Sequence, residues 1–336
     1  MDSLTHIAIG ALIGEAYAGK RLGRRALLFG AIYQSIPDVD FIAAFFLPPT
    51  ENILVHRGFT HSFLFAILIT IIISFFANRW RKVKGFGFSN WMAFVGLEIF
   101  VHLLLDGLNA YGVGWLEPFS HQRFAYNVIF VIDPIYSIWL GISCTALLVL
   151  HQNHHARLNW VRFGLLASSI YICFCLINKM IVNNRVEYSL SSQKIQYKRY
   201  LTTPTALNNL LWYCIAESDS GYHIGYRSVF DRSEEMKFQY FPRNEPLLAS
   251  LKNEDEVKNL LQFSNGFYSV EQLEDGLLFN DLRFGRIAGW ERGETEFTFH
   301  YYLQQPTKNI LVVQRGRFAE WNLETMKSLV KRIKGK

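Results

Sequence analysis

Six long apolar stretches dominate the first half of the chain. They run roughly over residues 4–19, 26–47, 62–77, 91–110, 128–150 and 160–182. A membrane-spanning helix needs about 20 residues, so the short first and third stretches are also compatible with re-entrant or partly buried helices. The pattern predicts a polytopic helical membrane domain over residues 1–184.

Beyond residue 184 the pattern changes to short segments of alternating polarity. KIQYKRYL (194–201), GYHIGYRSVF (221–230) and ETEFTFHYYL (294–303) are typical of strands. NEDEVKNLLQF (253–263) and WNLETMKSLVKRIK (321–334) are typical of amphipathic helices, and we interpret the second, although it is basic, as a cap on its own domain rather than a lipid contact. The predicted fold is therefore mainly α, with a small soluble α+β domain over residues 185–336.

Composition supports this division. Hydrophobic residues make up 50% of the chain and aromatic residues 15%, which is too apolar for an ordinary soluble enzyme. Of 34 Lys and Arg, 13 fall in residues 1–184, and of 28 Asp and Glu, 9 do. The second half is therefore nearly charge-balanced, and no nucleic-acid-binding patch is indicated. The four cysteines have neither a disulfide nor a zinc-knuckle spacing.

The basic residues predict the orientation in the membrane. They concentrate in alternate loops, whereas loops 48–61 and 111–127 carry one arginine each. Because basic loops stay on the cytoplasmic side, we expect a multi-pass protein of the cytoplasmic (inner) membrane. Its amino terminus and its residues 185–336 are then extracytoplasmic. The basic residues concerned are Lys20, Arg21, Arg24, Arg25, Arg79, Arg81, Lys82, Lys84, Arg157 and Arg162.

Carboxylates and imidazoles interrupt the apolar stretches. A charged residue within a spanning helix costs about 2.5–3.5 kcal/mol on insertion scales, so each one needs a partner or a function. Glu98, His102 and Asp106 are four residues apart and share one helix face. With the predicted topology, acidic and imidazole groups from separate stretches lie at one membrane depth, near the outer surface: His6, Asp38, Asp40, His56, His61, His102, Asp106 and Asp133.

These groups predict a metal site. The four carboxylates among them have only Arg57 and Arg123 as nearby fixed cations, which leaves about two negative charges uncompensated in a medium of low dielectric constant. One or two divalent cations would supply the missing charge. Imidazole and carboxylate without thiolate suit zinc, manganese or iron, and leave magnesium open. His61 is a stronger candidate ligand than His56, which is also interpretable as a headgroup-level residue.

The same residues carry a resemblance to a family. MDSLTH at the start, PDVDF, HRGFTHS, HLLLDGLNAYG and FVIDPIYS resemble, in order, the motifs of the YdjM-like family of membrane-bound, predicted metal-dependent hydrolases. That family is thought to be remotely similar to zinc phospholipases C and single-strand nucleases. The resemblance implies phosphoester hydrolysis, with five metal ligands: His6, Asp38, His61, His102 and Asp106.

The expected mechanism uses a metal-activated water. Asp40 or Asp133 would serve as the base or would orient a ligand histidine, while Arg57 and Arg123 would hold an anionic group. A site at the outer membrane surface favours a phospholipid, a lipid-linked phosphate or another amphiphile as substrate.

Two other functions remain open. An ion or proton transporter would also use intramembrane carboxylates, although only Glu15 and Glu98 lie deeper and no inverted repeat is evident. A membrane-anchored binding module, in which the outer domain recruits a partner and the metal is structural, is the second alternative.

Overall fold

A computed structural model describes residues 1–80, 85–291, 295–305, 309 and 321–335. The predicted basic residues Arg81, Lys82 and Lys84, and Glu294 of a predicted strand, lie outside the described residues. The chain divides into two compact units. The first, here called the membrane unit, comprises Met1–Ala43 and Val55–Cys175, and the second, called the sheet unit, comprises Ala44–Leu54 and Leu176–Lys336.

The membrane unit contains most of the helices, and about half of the described chain is helical. In chain order the first seven helices are α1 (Ser3–Leu22), α2 (Arg25–Gln34), α3 (Pro49–Val55), α4 (Phe63–Trp80), α5 (Phe88–Gly107), α6 (Pro134–Val149) and α7 (Arg157–Ser192), with 3₁₀ turns at Pro37–Phe45 and Phe59–His61. Of these, α3 up to Leu54 and α7 from Leu176 belong to the sheet unit. The apolar stretch predicted from residue 128 becomes helical only at Pro134.

Three helices in the described part of the chain are long and apolar enough to cross a membrane: α4, α5 and α7. Helix α2 and the Pro37–Phe45 turn, bent by 58°, together form a fourth candidate, either a broken span or a re-entrant loop. The third predicted stretch, short in sequence, is the 18-residue α4. At 1.5 Å per residue α4 and α5 are about 27–30 Å long, which matches the hydrocarbon core of a bilayer.

Helices α1 and α2 pack unusually closely. A Cβ atom on Gly30 would lie 2.0 Å from the Gly10 carbonyl oxygen, and one on Gly14 would lie 2.2 Å from that of Ala26. Small residues four apart allow helix backbones in membranes to approach in this way. A Cβ atom on Gly10 would also meet the Gln34 side chain, so this contact fixes the carboxyl-terminal end of α2.

The sheet unit contains two antiparallel sheets. The first has the order β1 (Arg199–Pro204), β2 (Leu211–Glu217), β3 (Gly221–Ser228), β4 (Gln239–Pro242), and the second has β5 (Tyr268–Leu273), β6 (Gly276–Arg286), β7 (Phe297–Tyr302). Helix α8 (Asp255–Phe263) and a last helix, α9 (Leu323–Ile333), complete it. A helical membrane domain followed by a small antiparallel sheet domain is confirmed.

Helix α7 explains why the units divide before the predicted boundary at 184. Its carboxyl-terminal part is already packed on the first sheet, where Val182, Val186 and Leu190 share a core with Trp212 and Cys214. The helix continues to Ser192, so the strand expected at 194–201 begins only at Arg199.

The last helix, α9, packs on its own unit. Arg332 makes a two-pronged ion pair with Asp231, with N–O distances of 2.6 and 2.8 Å, and Trp290 donates to Ser328. These contacts support its interpretation as a cap.

Candidate metal centre

Four side chains in the membrane unit converge on one point. Asp38, His61, His102 and Asp106 each offer one ligand atom, and these atoms lie within 4.8 Å of one another. The two imidazole Nε2 atoms are 3.1 Å apart, and each lies 3.5–3.6 Å from Asp38 Oδ1 and from Asp106 Oδ2. Zinc held tetrahedrally by ligands at 2.0–2.2 Å would separate them by about 3.3–3.6 Å. This donor set therefore fits a metal ion with two nitrogen and two oxygen ligands.

The local sequence explains how three chain segments meet there. Helix α2 ends at Gln34, and the turn that begins at Pro37, bent away by 58°, carries Asp38. His61 ends the 3₁₀ turn before α4, whose first amides are capped by Ser62, with Phe65 N donating to Ser62 Oγ over 3.0 Å. His102 and Asp106 stand one turn apart at the end of α5. The site therefore lies at the level where α4 begins and α5 ends.

Both histidines are oriented by hydrogen bonds on the far side of their rings. His102 Nδ1 donates to the Gln34 carbonyl oxygen over 2.6 Å. His61 Nδ1 donates to Thr60 Oγ1 over 3.0 Å and lies 3.3 Å from Asp40 Oδ2. A proton on Nδ1 leaves Nε2 as the free ligand atom, and such outer contacts orient metal-binding imidazoles in proteins.

Asp40 lies behind His61 rather than with the four ligand atoms. Its buried carboxylate accepts hydrogen bonds from Arg57 N (2.8 Å), Thr60 Oγ1 (3.0 Å) and His56 Nδ1 (3.0 Å). His56 is thus held by Asp40 and stands outside the four-residue group. Of the two roles expected for Asp40, its contacts match that of a residue orienting His61.

Asp106 connects the four ligand atoms to the remaining polar residues. Arg57 Nε lies 3.0 Å from Asp106 Oδ2, and Arg57 also donates to Asn109 Oδ1 over 2.9 Å. On the other carboxylate oxygen, Oδ1, His6 Nε2 lies at 3.1 Å, and the Met1 amino group is in contact. The His6 ring stacks on that of His102, with ring centroids 3.9 Å apart. His6 is therefore adjacent to the centre but is not one of the four converging side chains.

The charge on His61 depends on the carboxylates around it. Burial opposes protonation of His61, but its hydrogen bonds with Asp106, Asp38 and Asp40 raise its pKa to about 10, so a metal ion bound at Nε2 would replace a proton. Three of the four side chains are fully buried, whereas the Asp38 side chain is 19% exposed. The centre is therefore reached from the Asp38 side.

Two other predicted catalytic residues, Asp133 and Arg123, have hydrogen-bond partners outside the four converging side chains. Asp133 caps α6, accepting from Ile135 N (3.0 Å) and Tyr136 N (3.3 Å), and receives the Tyr171 hydroxyl at 2.9 Å. Arg123 donates to the His56 carbonyl oxygen over 2.6 Å. Asp133, one of the four carboxylates expected near the site, therefore has hydrogen-bond donors of its own and is not among the four converging side chains.

Sequence reasoning missed two residues that shape the centre. The Gln34 carbonyl fixes the His102 ring, and Asn109 holds the Arg57 guanidinium. A polar glutamine in an apolar stretch, three residues before the Pro37 turn, was the available signal for Gln34. For Asn109 the available signal was its place in the motif HLLLDGLNAYG, three residues after Asp106.

Comparison with known proteins gives a consistent picture. The family described as YdjM inner membrane protein matches residues 1–182, which include all four converging residues. The chain is 34% identical to the inner membrane protein YbcI of Escherichia coli (strain K12) over 123 residues, which cover 36% of this chain and 69% of that protein. It is 22% identical to YfhP of Bacillus subtilis (strain 168) over 304 residues, covering 84% of this chain and 87% of that protein. No solved structure matches. The resemblance seen in the sequence motifs is thereby confirmed: the chain belongs to the YdjM inner membrane protein family.

Proposed function

We propose that this membrane protein is a metal-dependent hydrolase that acts on a phosphoester of a lipid or another amphiphile. The observation that carries the proposal is the convergence of Asp38, His61, His102 and Asp106 within 4.8 Å. Zinc suits the two imidazoles and two carboxylates best, and manganese, iron and magnesium are the alternatives. A metal held there would lower the pKa of a water molecule and polarise the scissile group.

The surrounding residues have defined tasks in this proposal. Gln34 and Asp40 hold the two rings with Nε2 turned inward. Arg57 neutralises part of the charge on Asp106 and, because it is buried against Asp106 and Asn109, positions that ligand rather than holding a substrate anion. The partly exposed Asp38 marks the side from which substrate enters.

The position of the site supports an amphiphilic substrate. His61 immediately precedes one candidate span and Asp106 lies in the last turn of another, so the four ligand atoms lie near one membrane surface. The distribution of basic loops supports the extracytoplasmic surface, with residues 185–336 on that side. A substrate that resides in the bilayer would present its headgroup at this level.

The deeper carboxylates do not support a proton relay. Glu15 is held by Arg157 through two hydrogen bonds of 2.7 and 2.9 Å. Glu98 lies beside Gln34, and with the Gln34 amide turned over its nitrogen would donate to Glu98 Oε2 over 3.0 Å, while Oε1 has no hydrogen-bond partner among the described residues. The pairing of Glu15 leaves Glu98 as a single deep carboxyl group, which favours the hydrolase over a transporter with a chain of such groups.

The first test is metal content. The protein would be purified with His154→Ala and His155→Ala, because these exposed, stacked histidines offer an adventitious site. We expect stoichiometric metal by mass spectrometry, lost in His102→Ala and kept in His121→Ala, which removes an exposed histidine outside the centre. Absence of metal after mild purification and dialysis against zinc would overturn the proposal.

The second test is activity. Metal-loaded protein would be offered phospholipids and lipid-linked phosphates in mixed micelles, with His102→Ala as the blank and His121→Ala as the matched control. Release of a phosphate product by the wild type and the control, but not by the blank, is the expected result. A metal-loaded protein inactive on every ester would favour the binding module with a structural metal.

A further inference from the structure

A short apolar projection stands beside the metal centre. The chain between α5 and α6 forms a turn at residues 115–119, closed by hydrogen bonds from Phe119 N (2.9 Å) and Ser120 N (3.1 Å) to the Leu116 carbonyl oxygen. The Phe119 side chain is 83% exposed and Leu116 is 43% exposed. The turn is thus well formed, yet it presents two large apolar side chains away from the protein.

This turn is fixed to the ends of two candidate membrane spans. The Trp115 carbonyl accepts from Phe63 N, the first residue of α4, over 3.0 Å. The Trp115 indole Nε1 donates to the Leu103 carbonyl, in the last turns of α5, over 3.3 Å, and the Trp115 ring stacks on the Phe63 ring. A Cβ atom on Gly107 would lie 2.7 Å from the indole. Trp115 therefore sets the turn at the level where both helices end.

The rest of the loop is held at the same level. Tyr126 N donates to the Gly107 carbonyl over 2.8 Å, and Val113 pairs with Phe124 as an isolated antiparallel bridge. With α4 and α5 about as long as the hydrocarbon core is thick, their ends lie at the boundary between acyl chains and headgroups. Aromatic side chains are enriched at this boundary, where an apolar body contacts lipid.

We propose that the 115–119 turn is a membrane-interface anchor, with Phe119 and Leu116 inserted among the lipid acyl chains beside the metal centre. A single exposed apolar residue on a soluble protein needs no explanation, but here two of them project from a turn continuous with two spans. These two side chains contact the bilayer, because the turn lies at the lipid boundary if α4 and α5 cross the membrane. The proposal depends on those spans and not on hydrolysis.

The test measures the surroundings of individual positions in the full chain. In a Cys144→Ala, Cys173→Ala background, which leaves only the buried Cys175 and Cys214, a nitroxide label is attached at Phe119→Cys or at His121→Cys. His121 is the matched control, because it lies two residues away with a 69% exposed side chain. Each protein is reconstituted into phosphatidylcholine and phosphatidylglycerol vesicles, and power saturation is measured with oxygen and with a water-soluble nickel chelate. The Cys144→Ala, Cys173→Ala protein without an introduced cysteine is taken through the same labelling reaction, and it shows whether Cys175 or Cys214 reacts.

We expect oxygen to relax the label at 119 more strongly than the nickel chelate does, and the order to reverse at 121. Nickel access at 119 equal to that at 121 would place the turn in water and overturn the proposal. Access by neither reagent would mean that protein covers the turn, which overturns it as well. If Phe119→Cys fails to reconstitute, Leu116→Cys provides the same measurement. Metal content should be unchanged in all of these variants, so failure of the anchor is distinguishable from failure of the metal centre.

Discussion

Two buried polar clusters in the membrane unit differ in how their charges are matched. At one, Arg157 donates two hydrogen bonds to Glu15, and its remaining donor contacts are with the Leu147 and Leu150 carbonyls at the end of α6. At the other, Arg57 and the Met1 amino group contact Asp106, but Asp38 and Asp106 also face two imidazoles whose Nε2 atoms lie 3.1 Å apart. In the first cluster, the charges of one acid, Glu15, and one base, Arg157, are paired with each other.

The difference distinguishes a polar cluster that only stabilises the fold from one that is suited to bind a cation. A buried ion pair with complete hydrogen bonding holds helices together, and it is destabilising to break because one charge is left unpaired. Two imidazole Nε2 atoms 3.1 Å apart, flanked by two carboxylates, form a donor set that a shared cation would stabilise.

Removing one ligand should abolish metal binding. Asp106→Asn keeps the shape of the side chain but removes the charge that faces both imidazoles. We expect stoichiometric metal to disappear, corresponding to an affinity loss of well over 100-fold, since disturbing even an outer contact costs about 10–100-fold. Glu15→Gln, which neutralises the carboxylate of the other cluster, should retain full metal in the same mass-spectrometric assay. Equal metal content in Asp106→Asn and Glu15→Gln would contradict the proposed difference between the two clusters.

Breaking the Glu15–Arg157 pair should affect stability instead. Arg157→Met leaves the Glu15 carboxylate unpaired in an apolar surrounding, and we expect a loss of about 3–5 kcal/mol in the free energy of unfolding, measured by denaturant titration in detergent. The double variant Glu15→Leu/Arg157→Met should recover most of it, because two apolar residues replace the pair. No recovery would indicate that Arg157 acts mainly through its bonds to the α6 carbonyls.

Loosening the support of His61 should weaken metal binding without abolishing it. In Asp40→Asn the carboxylate that accepts from Arg57 N, Thr60 and His56 becomes an amide, and we expect a 10–100-fold lower metal affinity in a chelator competition assay. Asp133→Asn is the control, because Asn also serves as a helix cap and Asp133 contacts none of the four ligand residues in the described structure. A similar loss in both variants would argue for a general effect on folding.

The sheet unit also contains a carboxylate, Glu217, whose charge is paired with arginines. Burial alone would raise the pKa of Glu217, but hydrogen bonds and charge from Arg199 and Arg243 hold it below its usual range. Because the folded-state pKa is the lower one, the contribution to stability is present above the unfolded-state pKa of about 4.5 and is lost as the pH falls through the folded-state value. Glu217→Gln should therefore flatten the acid dependence of thermal unfolding, by an effect of about 1 kcal/mol or less. An unchanged pH profile would contradict this.

Much of the fold could be predicted from hydrophobic pattern, since helices that face lipid must be apolar over their whole length. The ligands could be proposed because a carboxylate or imidazole in such a helix is conspicuous: His102 and Asp106 share one face of α5, and Asp38 follows a proline that ends α2. Their partners could not be proposed in this way. Asp133, expected to act as a base or to orient a ligand histidine, bonds to the first amides of α6 and to Tyr171, and Arg57, expected to hold an anion, contacts Asp106 and Asn109. Composition shows that a polar group is present, whereas only three-dimensional contacts show whether it is already satisfied.

Through the backbone contact between α1 and α2, the candidate metal centre depends on residues that lie outside its four ligand side chains. With no room for even a methyl group at Gly30, enlarging it would push the two helices apart and shift the Gln34 carbonyl that steers the His102 ring. Substitutions in this glycine-lined crossing would then resemble damage to the candidate metal centre, although its four side chains were intact.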